Sequence, residues 1–290
     1  MAHKPKHILV PTDFSSASDR ALSLAKEIGQ RFDAEIHLLH VRIVLDDPNA
    51  DSEILDEVER ILTTSEPSTR QALEQAHKNG GADVHAYMKR GMVPADVIVD
   101  AVSEYDCDLV VMGTHGRRGV KRLLAGSVAQ EVVHRSPVPV LTTRADVDTR
   151  FPPRKILVAV DFSEESLKAV DWVAATAPAL DVEITLLHVV RPVIYPEFYA
   201  LDSLPEQHRV QILRRCHEAL TDVATKHLAD LSFTTAVIED HVAVGASDFA
   251  EKNDFDLVVL GTKGLSGLTH AVLGSVAERV VRVSKVPVLT

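Results

Sequence analysis

Two apolar patterns alternate along the chain. Short runs rich in β-branched residues, such as 8–10, 109–112 and 257–260, fit strands covered on both faces of a parallel sheet. Between them apolar residues recur at helical spacing, as in Ala21, Leu22, Leu24, Ala25 and Ile28, which predict a helix over about 16–31. Read in order, the first half gives strand 6–10, that helix, strand 35–41, a polar loop over 42–50, and helical segments over 51–64 and from Pro67 to about 79. Strand 83–89, helix 94–105, strand 109–112, a glycine-punctuated loop, a helix opened by Ser127 and a fifth strand over 137–142 follow. Prolines in that last strand mark an edge or an abrupt start. The second half reads as strand 155–160, helix 164–177, strand 183–189, a loop over 191–205, helix 206–229, strand 233–238 and helix 244–253. A second glycine loop, its helix and a last strand over 286–290 complete it. Strands alternating with helices predict right-handed βαβ units and an α/β fold.

The two halves repeat each other. Residues 109–135, LVVMGTHGRRGVKRLLAGSVAQEVVHR, return as 257–282, LVVLGTKGLSGLTHAVLGSVAERVVR. Gly113, Gly116, Gly119 and Gly126-Ser127 each precede their counterparts, Gly261, Gly264, Gly267 and Gly274-Ser275, by 148 residues. The same offset links Asp13 to Asp161 and His40 to His188, so whole domains are duplicated. The polar stretch 145–153, ending in Pro152-Pro153, separates them; the boundaries read 1–146, a linker over 147–153, and 154–290. A length of 290 residues suits two domains.

Composition narrows the classes. Hydrophobic residues make up 46% and aromatic residues only 4%, so the core is aliphatic, as under helix-covered parallel sheets. Residues 1–150 carry 18 Lys+Arg against 23 Asp+Glu and the remainder 13 against 19, so neither half offers a nucleic-acid surface. The two cysteines, Cys107 and Cys216, have unrelated flanks and read as reduced thiols of a cytosolic protein. The N-terminus runs straight into a strand without a signal-peptide core, and no apolar run reaches membrane-spanning length. The expectation is a soluble, cytoplasmic chain with no membrane partner.

The glycine loops carry the candidate chemistry. Glycines let backbone approach a ligand closely, and the N–H groups at a helix start favour an anion. In an open parallel sheet the ligand site lies beyond the carboxyl ends of the strands, where the order reverses. Asp13 and Asp161 end the first strand of each half and the loops follow the fourth, so both features line one crevice if those strands are neighbours. A carboxylate there suits ribose hydroxyls, and the loop suits phosphates; an Asx-turn or a helix cap is the competing explanation for Asp13. Ser127 and Ser275 begin Ser-x-x-Gln and Ser-x-x-Glu, patterns that a capping box alone explains. The spacing is neither a Rossmann fingerprint nor a Walker loop.

Gly-x2-Gly-x9-Gly-Ser after the fourth strand, with Asp13 closing ILVPTDFS, resembles the universal stress protein family over nearly the whole chain, as two fused domains. The resemblance implies two tandem, doubly wound, five-stranded parallel-sheet domains of the Rossmann-like, adenine nucleotide alpha hydrolase-like type, with strand order 3-2-1-4-5. It also implies binding of ATP, or of AMP or ADP, with Mg or Mn arriving alongside the nucleotide. Carried over by position, Pro11, Asp13, Val41, Met112, Gly113, Gly116, Gly126, Ser127 and Val128 would form the first site, with Asp13 on the ribose, Val41 and Met112 beside the adenine, and the rest of the loop on the phosphates. Asp161, Val189, Leu260, Gly261, Gly264, Gly274, Ser275 and Val276 would form the second. Family members pair through their fifth strands, which implies a pairing of the two halves within one chain and leaves a homodimer open.

The halves differ in charge. Arg117, Arg118, Lys121 and Arg122 stand where the second loop has Leu265, Ser266, Thr269 and His270, which predicts tighter triphosphate binding at the first site unless those side chains face water or another subunit. Glu239 and Val242 align with Gly91 and Pro94, which puts the second site in question. The fourteen histidines show no metal-binding spacing, and His40 and His188 read as parts of the shared sheet end. No nucleophile has an adjacent base; His115 is matched by Lys263, which speaks against a shared catalytic role. The sequence therefore reads as a nucleotide-dependent sensor or regulator in stress response, with a slow ATPase or a nucleotide-free assembly scaffold as the alternatives.

Overall fold

The computed structural model describes residues 4–43, 71, 83–114, 126–147, 149–192, 206–262 and 274–290. The helices expected over 51–79 lie outside the described residues, apart from Gln71, which is helical. Chain contacts divide the protein into Pro5–Asp146 and Val147–Thr290.

In the first half the strands are β1 (His7–Thr12), β2 (Glu35–Ile43), β3 (Val84–Gly91), β4 (Leu109–Gly113) and β5 (Val140–Thr143). They lie in the order β3-β2-β1-β4-β5, every pair parallel. The described helices are α1 (Ser16–Phe32), α2 (Pro94–Glu104) and α3 (Ser127–Arg135). The second half contains β6 (Lys155–Ala159), α4 (Glu164–Thr176), β7 (Glu183–Val190), α5 (Glu206–His227), β8 (Phe233–Glu239), α6 (Val242–Lys252), β9 (Leu257–Leu260), α7 (Ser275–Val283) and β10 (Val288–Leu289). Its order, β8-β7-β6-β9-β10, is the same and again parallel. The expected order 3-2-1-4-5 thus appears in both halves.

The strands form where both faces can be covered. Ile8, Leu9, Val10, Ile36, Leu38, Leu39, Val110 and Val111 are fully or almost fully buried in one half, and Ile156, Leu157, Val158, Leu186, Leu187 and Val258 in the other. Each such side chain contributes roughly 1.5–3 kcal/mol by leaving water. α1 and α4 start on serine caps: Ser15 Oγ accepts from Ser18 N at 3.3 Å, and Ser163 Oγ from Ser166 N at 3.2 Å.

Several element ends depart from expectation for physical reasons. β1 runs past Val10 through Pro11 and Thr12, which stand opposite Leu39 and His40. Its pairing with β4 involves only Ile8 and Leu9, so the missing proline N–H is tolerated at the far end of the strand. β5 starts at Val140 rather than 137 because Ser136 Oγ donates to Val138 O (2.8 Å) and accepts from Val138 N (3.3 Å), holding the first residues in a turn. Ser284 does the same to Val286 before β10. α4 gives way to a 3₁₀ turn, Ala177–Ala179, at Pro178, which cannot continue the α-helical ladder. The constant offset of 148 also fails in β8. Arg42 pairs with Arg90, whereas its counterpart Val190 pairs with Glu239, so Glu239 corresponds by register to Arg90 and not to Gly91.

Candidate nucleotide site

The site is built from the end of β1 upward. Asp13 follows the strand, and its Oδ1 accepts the Ser15 N–H at 3.1 Å, an Asx-turn. Asp161 repeats this with Ser163 N at 3.0 Å and also accepts from Ser163 Oγ at 2.5 Å. The expected competing explanation for these carboxylates is therefore real. The turn itself uses one or two of the roughly four acceptor positions of each carboxylate. Between Asp and Ser the backbone turns through the left-handed region at Phe14 (φ 60°) and Phe162 (φ 66°), an uncommon conformation for a bulky residue.

The neighbouring strand braces the turn. His40 Nδ1 lies 2.8 Å from Thr12 O, and His188 Nδ1 lies 2.7 Å from Val160 O. An acceptor carbonyl requires the proton on Nδ1 in each ring. The same rings lie against Phe14 and Phe162, with centroids 4.8 and 4.7 Å apart. Both histidines thus belong to the sheet end, as expected. The phenylalanine pivot escaped the sequence reading, although the repeated Asp-Phe-Ser triplet was its signal.

β1 and β4 are neighbours, so the turn and the glycine segment meet at one switch point. Gly113, ending β4, lies against the first turn of α1: a Cβ there would sit 2.7 Å from the carbonyl carbon of Ala17. Gly261 faces Glu165 and Ser166 in the same way. These two glycines are required by helix packing, whatever a ligand requires.

The loop after β4 closes on itself. Gly126 N donates to Thr114 O at 2.5 Å, and Gly274 N to Thr262 O at 2.8 Å. Thr114 N in turn donates to Thr143 O of β5 at 2.9 Å. The capping-box expectation fails here. Gly126 and Gly274, not the serines, are the N-caps, and neither helix start has a side-chain cap hydrogen bond. Ser127 and Ser275 are the exposed first helical residues, each followed by a half-buried valine, Val128 or Val276. Extended backbone at Gly126 (φ −58°, ψ 137°) moves the cap one residue earlier and takes the serine hydroxyl out of reach of that role.

Of the remaining expected site residues, Pro11, Met112, Val189 and Leu260 are buried at the carboxyl ends of their strands, and Val41 is half-buried near the end of β2. Gly116, Gly264, Gly119, Gly267, His115, Lys263 and the basic and neutral loop residues that distinguish the halves lie outside the described residues.

A family model described as the universal stress protein family matches residues 4–144 and again 153–290. The chain belongs to this family. A universal stress protein of Methanocaldococcus jannaschii, MJ0531, is 34% identical over 142 residues, 48% of this chain and 82% of its own length. One from Mycolicibacterium smegmatis is 26% identical over 301 residues, covering 97% of this chain and 95% of its own. The crystal structure of a universal stress protein from Archaeoglobus fulgidus superposes with a TM-score of 0.65 at 23% identity, covering 98% of this chain and 97% of that one. The universal stress protein fold therefore extends over both halves. No described helix is long and apolar enough to cross a membrane.

Proposed function

We propose that this universal stress protein binds an adenine nucleotide, ATP in the first instance, beyond the carboxyl ends of β1 and β4, with an equivalent site beyond β6 and β9. One observation carries the reading: an aspartate fixed by a turn at the end of one strand adjoins a closed loop and an uncapped helix start at the end of the neighbouring strand, and both halves have this arrangement. Asp13 and Asp161 accept from the ribose hydroxyls. The first amides of α3 and α7, with Ser127 and Ser275, donate to phosphate oxygens, where the helix dipole adds its attraction. A divalent cation enters with the phosphates and supplies charge neutralisation. Occupancy then gives the protein a ligand-dependent state for sensing or regulation.

The test is native mass spectrometry of the full chain titrated with ATP and magnesium. Two nucleotides bind, and Asp13→Ala or Asp161→Ala each removes one. Failure of ATP, ADP and AMP to bind overturns the reading. Turnover abolished by Asp13→Ala would make the protein a slow ATPase.

A further inference from the structure

The amino-terminal end of the first-half sheet, opposite the nucleotide crevice, gathers imidazoles from three strands. His7 opens β1 and stands opposite Glu35, which opens β2; His37, two residues along β2, stands opposite His85 of β3. Residues two apart share a face, and registered residues in parallel strands do too, so all four side chains project on one side. His7 Nδ1 lies 3.4 Å from His37 Nε2 and 3.6 Å from Glu35 Oε2, and ligand atoms of all three residues fall within 4.8 Å of one another. A tetrahedral ion with bonds of about 2.0–2.2 Å to nitrogen and oxygen needs ligand atoms roughly 3.3–3.6 Å apart. The two closest separations match that edge length.

His37 is held as a rigid ligand. It is 6% exposed and stacks on Tyr105 (centroids 5.3 Å apart, 6° between planes) and on Tyr87 (5.8 Å, 16°). Its Nδ1 is buried with no hydrogen-bond partner among the described residues, and its Nε2 has only the long contact to His7. A metal at Nε2 would replace that long contact with a coordinate bond and fix the ring proton on Nδ1. His7 and Glu35 are partly exposed, which leaves a path for an ion and room for water to complete its coordination.

The second half shows that the fold does not need these side chains. At the matching register it places Lys155 opposite Glu183, and Thr185 opposite Thr234, whose hydroxyls bond each other at 2.8 Å. Among the described residues the cluster stands in one copy of a duplicated domain and not at the matching register of the other.

We propose that His7 Nδ1, His37 Nε2 and Glu35 Oε2 bind a divalent transition-metal ion of the zinc class. Two imidazoles and one carboxylate select Zn²⁺ or Co²⁺ over Mg²⁺ or Ca²⁺. His85 Nε2 lies 3.9 Å from Glu35 Oε2 and 3.5 Å from Asp83 Oδ2, at the edge of the cluster and outside the three proposed ligands.

The experiment is a calorimetric titration of the full, chelator-treated chain with ZnCl₂, and separately with MgCl₂, in the absence of nucleotide. One Zn²⁺ binds per chain and Mg²⁺ does not compete. His7→Ala, at the rim, and His37→Ala each weaken Zn²⁺ at least ~100-fold. Co²⁺ gives the visible absorption of a tetrahedral site in the parent and in Asp13→Ala, but not in His7→Ala. Circular dichroism confirms that each variant is folded; His7→Ala decides the matter if His37→Ala is not. Absence of Zn²⁺ binding, or binding unchanged in folded His7→Ala, overturns the proposal. Asp13→Ala keeps the metal and loses the first-half nucleotide, so failure of one site is read separately from failure of the other.

Discussion

Gly113→Ala separates what the fold demands of the glycine segment from what a ligand demands. The added Cβ would lie 2.7 Å from the carbonyl carbon, 2.8 Å from Cβ and 2.9 Å from the carbonyl oxygen of Ala17. Two of those three atoms are helix backbone, so relief requires α1 to move off β4. Overpacking of this kind costs about 1–3 kcal/mol, and the loss of glycine's freedom in the unfolded chain returns about 0.4–1. The net destabilisation is ~1–2 kcal/mol, which lowers the melting temperature of a domain this size by about 3–8 °C. Urea and thermal unfolding of the nucleotide-free protein measure it, with hydrogen exchange in α1 and β4 reporting on the affected half. Gly261→Ala behaves alike, because its Cβ would meet Glu165 C at 2.7 Å and Ser166 N at 2.9 Å. Gly126→Ala costs less, since its nearest neighbour, Thr114 O, is 3.2 Å away and φ is −58°. If nucleotide-free Gly113→Ala matched the parent in stability and lost only affinity, the packing argument would be refuted.

Ser15→Ala and Ser163→Ala each remove a helix cap and lower stability by ~1 kcal/mol in urea unfolding, while Thr at either position keeps most of it. Burial, reinforced by the carboxylates of Asp108 and Asp106, pushes the buried Cys107 thiol up to about 12, so about one part in ten thousand is thiolate at pH 8. Iodoacetamide on the native chain therefore modifies Cys216 and spares Cys107; equal labelling of the two would contradict this. Replacing Arg117 and Arg118 with serine weakens ATP at the first site on the order of tenfold, for ~1–2 kcal/mol of charge-assisted contact, and flattens its salt dependence. Calorimetry at two ionic strengths checks it, and unchanged affinity would send those arginines to solvent.

The duplication made Asp13, Asp161 and the glycine spacing legible, because a pattern that recurs with one offset is hard to produce otherwise, and the sheet order followed from the family resemblance those motifs carry. The errors came where geometry depends on a single residue's dihedrals or on distant chain. The first strand is expected to end at Val10, yet Pro11 stands opposite Leu39 beyond the segment that β4 covers. Ser127 looked like a cap, but the extended Gly126 takes that place. The one-residue change in β8 left the surrounding offset intact, so only strand pairing reveals it. No local spacing announces His7, Glu35 and His37, because the histidines lie 30 residues apart and meet only through the register of β1 and β2.

A duplicated chain also supplies its own comparison. At the carboxyl ends of the strands the halves agree in detail: Ser N to Asp Oδ1 at 3.1 and 3.0 Å, left-handed phenylalanines at 60° and 66°, and histidine-to-carbonyl contacts of 2.8 and 2.7 Å. They agree although the residue before the aspartate is Thr12 in one half and Val160 in the other. A left-handed phenylalanine costs on the order of 1 kcal/mol or more and persists only where its surroundings hold it. Two copies bearing the same strain at the same point imply a common demand on that turn. At the amino ends the backbone contacts also repeat, with Asp108 and Asp256 each accepting from the N–H groups that open the first strand, but the side chains differ: His7, His37 and His85 of one half correspond by register to Lys155, Thr185 and Thr234 of the other. Stability alone therefore accounts for neither end. It does not require the strain that both halves keep, and it does not require the imidazoles that only one has.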